Sequence, residues 1–237
     1  MKKLFLYSTA IAFYCLLSAC KPAKLLTATF EADAIDSPPA KVLPGEPAGD
    51  EIEYHNSITP LLKVQNSTIS GSKALHYTAL TVNNPPPLYD RYLSFKGIGT
   101  DLKQTVWFYY TGKNMGSTML IDISDGVANV MARMRISPNG DVGLATNIGD
   151  ADYSDVIGNI GSETHTIVFT ASPSTLKYNV TIIKETPPAI TAENRPMVTQ
   201  NANSFKSPNN PSLDFLHTNE DGSSYAIGSV TISRKKP

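Results

Sequence analysis

The chain has 237 residues, with 20 basic and 21 acidic side chains and a formal charge of −1, so its overall balance offers no cationic footprint for nucleic acid. Charged residues make up 17%, below the roughly 25% of average soluble chains, while Ser, Thr, Asn, Pro and Gly are abundant, the profile of short strands and turns. Both cysteines, Cys15 and Cys20, fall within the first twenty residues, so a packed core and not disulfides has to hold the rest together.

Residues 1–19 read as a cleaved signal peptide: Lys2 and Lys3 precede an apolar run from Leu4 to Leu17, and small residues lead into Cys20. At 1.5 Å per residue this run is too short to cross about 30 Å of hydrocarbon as a helix. The tetrapeptide Leu17-Ser18-Ala19-Cys20 resembles the lipobox of bacterial lipoproteins. That resemblance implies cleavage between Ala19 and Cys20, diacylglycerol on the Cys20 sulfur and a further acyl chain on the new amino group, with the membrane as partner through that lipid. The plainer alternative is an ordinary secretory signal with an incidental cysteine. Lys21 departs from the aspartate that resembles an inner-membrane retention signal, which favours the outer membrane and leaves the leaflet open.

Residues 20–27 read as a lipid-anchored spacer and 28–237 as a single β-sandwich domain, opening with a strand at Thr29-Phe30-Glu31. A turn region follows through Pro38-Pro39, Pro44-Gly45 and Pro47-Ala48-Gly49. Ile58–Ser67 and Ala74–Val82 alternate loosely as strands about Ser70-Gly71-Ser72, and Tyr92–Phe95 is a further short one. No window outside the leader shows helical periodicity. Between Gln104 and Ala145, Asp125-Gly126 and Asn139-Gly140 mark two-residue hairpins. Pairing outward from the first sets Asp122 opposite Asn129, and continuing across the loop at 112–117 sets Trp107 beside Asp122. One face then carries Val106, Phe108, Tyr110, Met119, Ile121, Ile123, Ala128, Val130 and Ala132 as core. The other carries Trp107, Tyr109, Asp122, Asn129 and Arg133. His165–Phe169 and Leu176–Ile183 form a strand pair, 186–213 is a long proline-rich loop, and Tyr225–Ser233 closes a sheet.

The layout resembles the concanavalin A-like lectin/glucanase jelly roll, which includes laminin-G-like modules. The likeness is carried by Thr29-Phe30-Glu31-Ala32-Asp33 with the later Pro-Gly-x-Pro-x-Gly, by Ala132 to Gly143, and by Ile227 to Ser233. It implies an all-β, two-sheet antiparallel sandwich in which first and last strands pair, bringing Phe30 beside Val230 or Ile232; an immunoglobulin-like sandwich or lipocalin-like barrel is the structural alternative. Glucan-cleaving relatives carry Glu-x-Asp-x-x-Glu on one strand, whereas this chain has Ile121-Asp122-Ile123-Ser124-Asp125, and the Arg-x-Glu and Gln-x-His signatures of alginate-lyase relatives are absent. The resemblance therefore favours binding over catalysis.

Trp107, Tyr109, Asp122, Asn129 and Arg133 together supply an aromatic plate and planar polar groups, the mixture saccharide recognition needs. The plainer alternative covers Trp107 and Tyr109 with the 186–213 loop and pairs Asp122 with Arg133 as ions. Asp150, Asp152 and Asp155 place oxygens at alternate positions as calcium loops do, but without the glycine and distal glutamate of an EF-hand; an acidic solvated turn is the plainer alternative. Otherwise no cofactor is implied. His55, His76, His165 and His217 have no metal spacing, though His76 with Tyr77 or Tyr92 would suit a lyase site if the fold joined them. The expectation is a lipid-anchored envelope protein with a non-catalytic, glycan-binding sandwich; the alternatives are a polysaccharide lyase or hydrolase on that fold, or a structural protein-interaction module.

Overall fold

Period-two alternation of apolar side chains along most strands, interrupted by Gly- and Pro-bearing turns, gives two sheets that bury one face each against the other. A computed structural model describes residues 24–42, 51–78, 91–99, 101–102, 104–126, 129–145, 153, 155–205, 209–218 and 222–234. The leader, Cys20, Ala128, Asp150 and Asp152 lie outside the described residues.

The strands are β1 (Lys24–Thr29), β2 (Ile52–Tyr54), β3 (Leu62–Asn66), β4 (Lys73–Thr78), β5 (Tyr92–Lys96), β6 (Val106–Met115), β7 (Met119–Ser124), β8 (Val130–Ile136), β9 (Asp141–Leu144), β10 (Asp155–Asn159), β11 (Thr164–Ser172), β12 (Lys177–Lys184), β13 (Ile190–Pro196), β14 (Ser212–His217) and β15 (Ser224–Ser233). Helix among the described residues is confined to 3-10 turns at Asn56–Leu61 and Ala202–Ser204. Among the described residues one sheet has eight strands in the order β13-β12-β11-β6-β15-β4-β3, with β1 also on β15; the other has seven in the order β10-β9-β8-β7-β14-β5-β2. All their pairings are antiparallel, which makes the molecule the two-sheet sandwich that the sequence predicts.

Strand β15 organises the larger sheet. One edge pairs with β6 throughout; the other pairs with β4 over Ser224–Ile227 and with β1 over Ser229–Ser233. The change of partner falls at Gly228, where the ladder to β6 also shifts register and the β3–β4 hairpin passes overhead. A latch ties the end of β1 to that hairpin: the Glu31 carboxylate accepts from the backbone N–H of Ser72 at 2.8 Å and of Lys73 at 3.1 Å, and from the Ser72 hydroxyl. The Lys73 ammonium donates back to the carbonyls of Glu31 (2.9 Å) and Asp33 (2.6 Å). Between the sheets the aromatic rings of Phe30, Phe95, Phe215 and Tyr110 meet edge to face in sequence, at centroid distances of 6.3, 5.8 and 5.2 Å.

Four sequence expectations are corrected. The first strand begins at Lys24, so residues 24–27 of the expected spacer are part of the sheet; Leu25 and Leu26 are buried, and it is Ala28, not Phe30, that sits opposite Val230. β6 and β7 do not share a sheet, because the chain turns at Gly116 (φ +90°) and crosses the core, so their apolar faces meet across the sandwich and not side by side. The Asp125-Gly126 turn is wider than two residues: Asp125 Oδ1 accepts from the Asn129 backbone N–H at 3.0 Å, and Asp122 is placed opposite Arg133. Finally, 186–213 is not one loop. It contains β13 on the edge of β12, and Val198 and Thr199 N–H groups donate to the carbonyls of Met131 and Val130. β13 escapes a periodicity search because only Ala192 is buried and the strand bulges at Glu193-Asn194.

A Cβ built on Gly228 would lie 2.7 Å from Ser70 Cβ and 2.9 Å from Ile69 Cγ2. Gly228→Ala should therefore cost about 1–3 kcal/mol, seen in thermal unfolding as a Tm lower by about 2–12 °C.

Candidate ligand-binding site

The outer face of the seven-stranded sheet carries its side chains in register lines that run across the strands. The middle line reads Glu53, Ser94, Asp214, Asp122, Arg133, each residue opposite the next on the neighbouring strand. On one side lie Lys96, Ser212 and Ser124; on the other lie Tyr92, Leu216, Leu120 and Arg135. Successive outward residues alternate with buried Leu93, Phe95, Leu213, Phe215, Ile121 and Ile123, so the pleat alone fixes which groups face out.

These groups hold one another. Arg133 forms a two-pronged pair with Asp122, Nε to Oδ1 at 2.8 Å and a terminal nitrogen to Oδ2 at 2.7 Å. Asp214 is ringed by hydroxyls: Ser94 donates to Oδ1, while Ser212 at 2.9 Å and Ser124 at 3.1 Å donate to Oδ2. Burial raises the Asp214 pKa to about 6, the serine hydroxyls oppose that rise, and the Asp122 carboxylate beside it adds to it. Tyr92 donates to Glu53 Oε1 at 3.2 Å, and Glu53 pairs with Lys96. At the far side Arg135 stacks on the Tyr153 ring, 5.0 Å from its centroid. Tyr153 fits there because β9 has Gly143 at that point, where a Cβ would meet the Tyr153 carbonyl oxygen at 2.5 Å.

A groove of about 330 Å³ opens over this surface, lined by Glu53, Tyr92, Ser94, Lys96, Ser212 and Asp214 among others. A larger hollow of about 740 Å³ lies on the outer face of the opposite sheet, around His76, Lys113, Met115 and the β3–β4 hairpin. Convergent polar groups with a displaced carboxyl pKa distinguish the smaller groove, which is the better candidate site.

The five residues proposed from sequence as one ligand face are divided. Trp107 and Tyr109 project from the outer face of the eight-stranded sheet, opposite Thr170 and Val168 of β11. Asp122 and Arg133 belong to the groove face. Asn129 stands in the β7–β8 turn, donating to Asp125 Oδ2 at 2.6 Å and to the Ser204 carbonyl at 3.2 Å. Asp214, Ser94 and Ser212 are the groups sequence reasoning missed, and Tyr92 enters it only beside His76; the alternation of Ser212-Leu213-Asp214-Phe215 is the signal that reveals Ser212 and Asp214.

Asp155 gives both oxygens to Arg195, at 3.2 and 2.9 Å, linking β10 to β13. Among the described residues no group of three or more His, Cys, Asp or Glu side chains is placed to hold a metal ion. Tyr77 points into the core and donates to the Arg91 carbonyl, while His76 and Tyr92 face out of different sheets, so that trio forms no site. His165 is a core residue: Glu163 O accepts from Nδ1 at 3.0 Å, Nε2 lies 2.6 Å from the Tyr225 hydroxyl, and burial lowers its pKa to about 4.

No family model matches the chain, and no curated protein matches it by sequence. Among solved structures it is similar to winged bean acidic lectin complexed with methyl-α-D-galactose (11% identity, TM-score 0.47, covering 77% of this chain and 98% of the lectin). It is also similar to the alginate lyase from Klebsiella pneumoniae (10% identity, TM-score 0.46, covering 76% and 85%). A third similar structure is a sialidase (11% identity, TM-score 0.45), of whose length the chain spans only 17% while 73% of this chain is covered.

Asp214 and His165 make opposite contributions to stability between pH 4 and 6. Asp214 holds its proton up to about pH 6 in the fold but to about 3.9 unfolded, so its contribution grows as pH falls through that window. His165 stays neutral down to about pH 4 in the fold but charges near 6.5 unfolded, so its contribution shrinks as pH falls. Urea unfolding of Asp214→Asn across pH 4–6 should show stability falling more steeply toward pH 4 than in the unmodified protein; parallel curves would contradict this assignment.

Proposed function

We propose that the protein is a lipid-anchored envelope protein that binds glycan, without turning it over, in the groove on the seven-stranded sheet. The observation that carries this reading is the pairing of two parallel lines on one face. Half-buried Tyr92, Leu216 and Leu120 form an apolar line, and Ser94, Asp214, Asp122 and Arg133 form a polar line one pleat away. A sugar ring presents the same division, apolar C–H groups on one side and hydroxyls that both donate and accept around the rim. Three serine hydroxyls and the carboxyl oxygens of Asp214 can exchange partners with such hydroxyls without leaving a buried polar atom unsatisfied.

A second reading has its own support. Asp214 and Asp122 are direct cross-strand partners, a register that brings Cβ atoms to about 5 Å. One carboxyl is inclined to keep its proton and the other is paired with a guanidinium, the division of labour a glycosidic acid and its partner need. Incubating the protein with a glycan that it binds separates the two: release of reducing ends that Asp214→Asn abolishes makes it a hydrolase, and an unchanged polymer makes it a binder.

On a glycan array, Tyr92→Ala and Leu120→Ser should each weaken binding about five-fold or more, whereas Trp107→Ala should leave it unaltered. Equal loss in Trp107→Ala would move the site to the other sheet. For the anchor, mass spectrometry of the processed protein should find its N-terminus at Cys20, carrying diacylglycerol on sulfur and an acyl chain on nitrogen; a free thiol there would remove the anchor.

A further inference from the structure

Sheet register brings a particular set of side chains to the end of the sandwich from which the N-terminal segment departs. Lys24, the first residue of β1, pairs with Ser233 of β15; Ser233 pairs with Trp107 of β6; and the β11 end at Ser172 pairs with Lys177 of β12. Lys24 and Lys177 are exposed, Trp107 is half-buried on the outer face, and Arg234 follows directly on β15. From Arg234 the sequence continues as Lys235-Lys236-Pro237. On the neighbouring sheet this end bears Glu51, Asp101 and Asp125, and Asp155 of β10 is paired with Arg195 of β13; Glu51 and Asp125 are only 7% and 1% exposed, and the Asp125 carboxylate serves Asn129 and Asn209. Setting aside the Arg195–Asp155 pair and the buried carboxylates, the described charged side chains of this end that reach solvent are Lys24, Lys177 and Arg234 against Asp101, a basic balance in a protein of net charge −1, and the end carries the sole tryptophan.

The tether sets the distance. Only Lys21-Pro22-Ala23 separate Cys20 from the first residue of β1, so a fully extended connection reaches about 14 Å. The headgroup layer of a leaflet is itself about 5–8 Å deep. What remains is about one Debye length at physiological salt, so cations at this end stay within the electrostatic reach of the lipid surface.

We propose that the end of the sandwich bearing Lys24, Trp107, Lys177 and Arg234 is a docking surface for an anionic lipid bilayer, holding the domain in one orientation on its membrane. The inference rests on acylation at Cys20. Each basic side chain held near an anionic leaflet raises affinity about five-fold, and an indole at the edge of such a face suits the headgroup level, where its ring is covered and its N–H meets water. Both sheets then stand across the membrane plane, and the groove faces sideways.

Trp107 reports on this directly, because it is the protein's one tryptophan. The acylated full-length product is reconstituted in vesicles of phosphatidylethanolamine and phosphatidylglycerol, with mass spectrometry of the same sample establishing the modification. Lipids brominated near the carbonyl end of their chains should quench Trp107, acrylamide should not reach it freely, and the Lys24→Glu/Lys177→Glu double variant should lose most of the lipid quenching. Acylated protein whose Trp107 is open to acrylamide and untouched by brominated lipid would overturn the docking surface and leave the anchor standing. Shielding from acrylamide without lipid quenching would also overturn it, since the face is then covered by protein. An unmodified Cys20 would instead remove the anchor on which the docking depends.

Discussion

Strand β15 has to satisfy two edges with three partners. Its inner edge is filled by β6, but neither β4 nor β1 is long enough to fill the outer one, so they share it end to end, and the chain direction at the joint is set by a residue with no side chain. Because β1 and the β3–β4 hairpin come from opposite sides of that joint, something must keep them from separating. Glu31 does so by taking hydrogen bonds from the hairpin backbone, and the geometry is good enough to hold its carboxyl below its ordinary pKa, chiefly through the Ser72 hydroxyl. The first and last strands are therefore fixed together, and the aromatic interior between the sheets is closed.

The groove face follows from the same pairing logic on the other sheet. An antiparallel ladder places residues from β2, β5, β14, β7 and β8 in a line, and the line is polar because each of those strands has a polar residue at that register. Its charges are arranged in compensated groups: Arg133 with Asp122, Lys96 with Glu53, and Asp214 with three hydroxyls instead of a cation. Asp214 is the group without ionic compensation, and proximity to Asp122 makes its ionisation harder still. With its pKa raised to about 6, the Asp214 carboxyl changes its protonation near the pH at which proteins work.

Much of this was written in alternation, and what alternation cannot express is what the sequence hid. Val106, Phe108, Tyr110, Met119, Ile121 and Ile123 are core as the period of two requires, yet the same period is obeyed whether β6 and β7 lie side by side or face each other across the interior. Asn139-Gly140 does turn the chain tightly, with Gly140 at φ +88°, though in a three-residue loop and not the two-residue one expected, because Ile136 stands opposite Val142 and the Ser137 N–H donates to the Asp141 carbonyl. Asp125-Gly126 does not, because the Asp125 carboxylate spans the loop and binds Asn129, an interaction no dipeptide rule contains. Prolines between 186 and 211 mask β13, and with it the nearness of Ser212 and Asp214 to Ser94 and Ser124, which depends on pairings between strands far apart along the chain. Sites assembled across strands in this way leave only a period-two trace on each contributing segment.

The direction of β1 has a mechanical consequence. Lys24 lies at the outer extremity of the strand, and the ladder to β15 runs inward from it to Thr29. A pull on the N-terminal segment, away from the body and along the strand, loads the β1–β15 hydrogen bonds together in shear, where peeling from an edge would break them singly. The Glu31–Ser72 contact stands behind the loaded strand, at its far end. Force entering through the N-terminal segment, as the proposed anchor would deliver it, would meet the most cooperative set of bonds in β1.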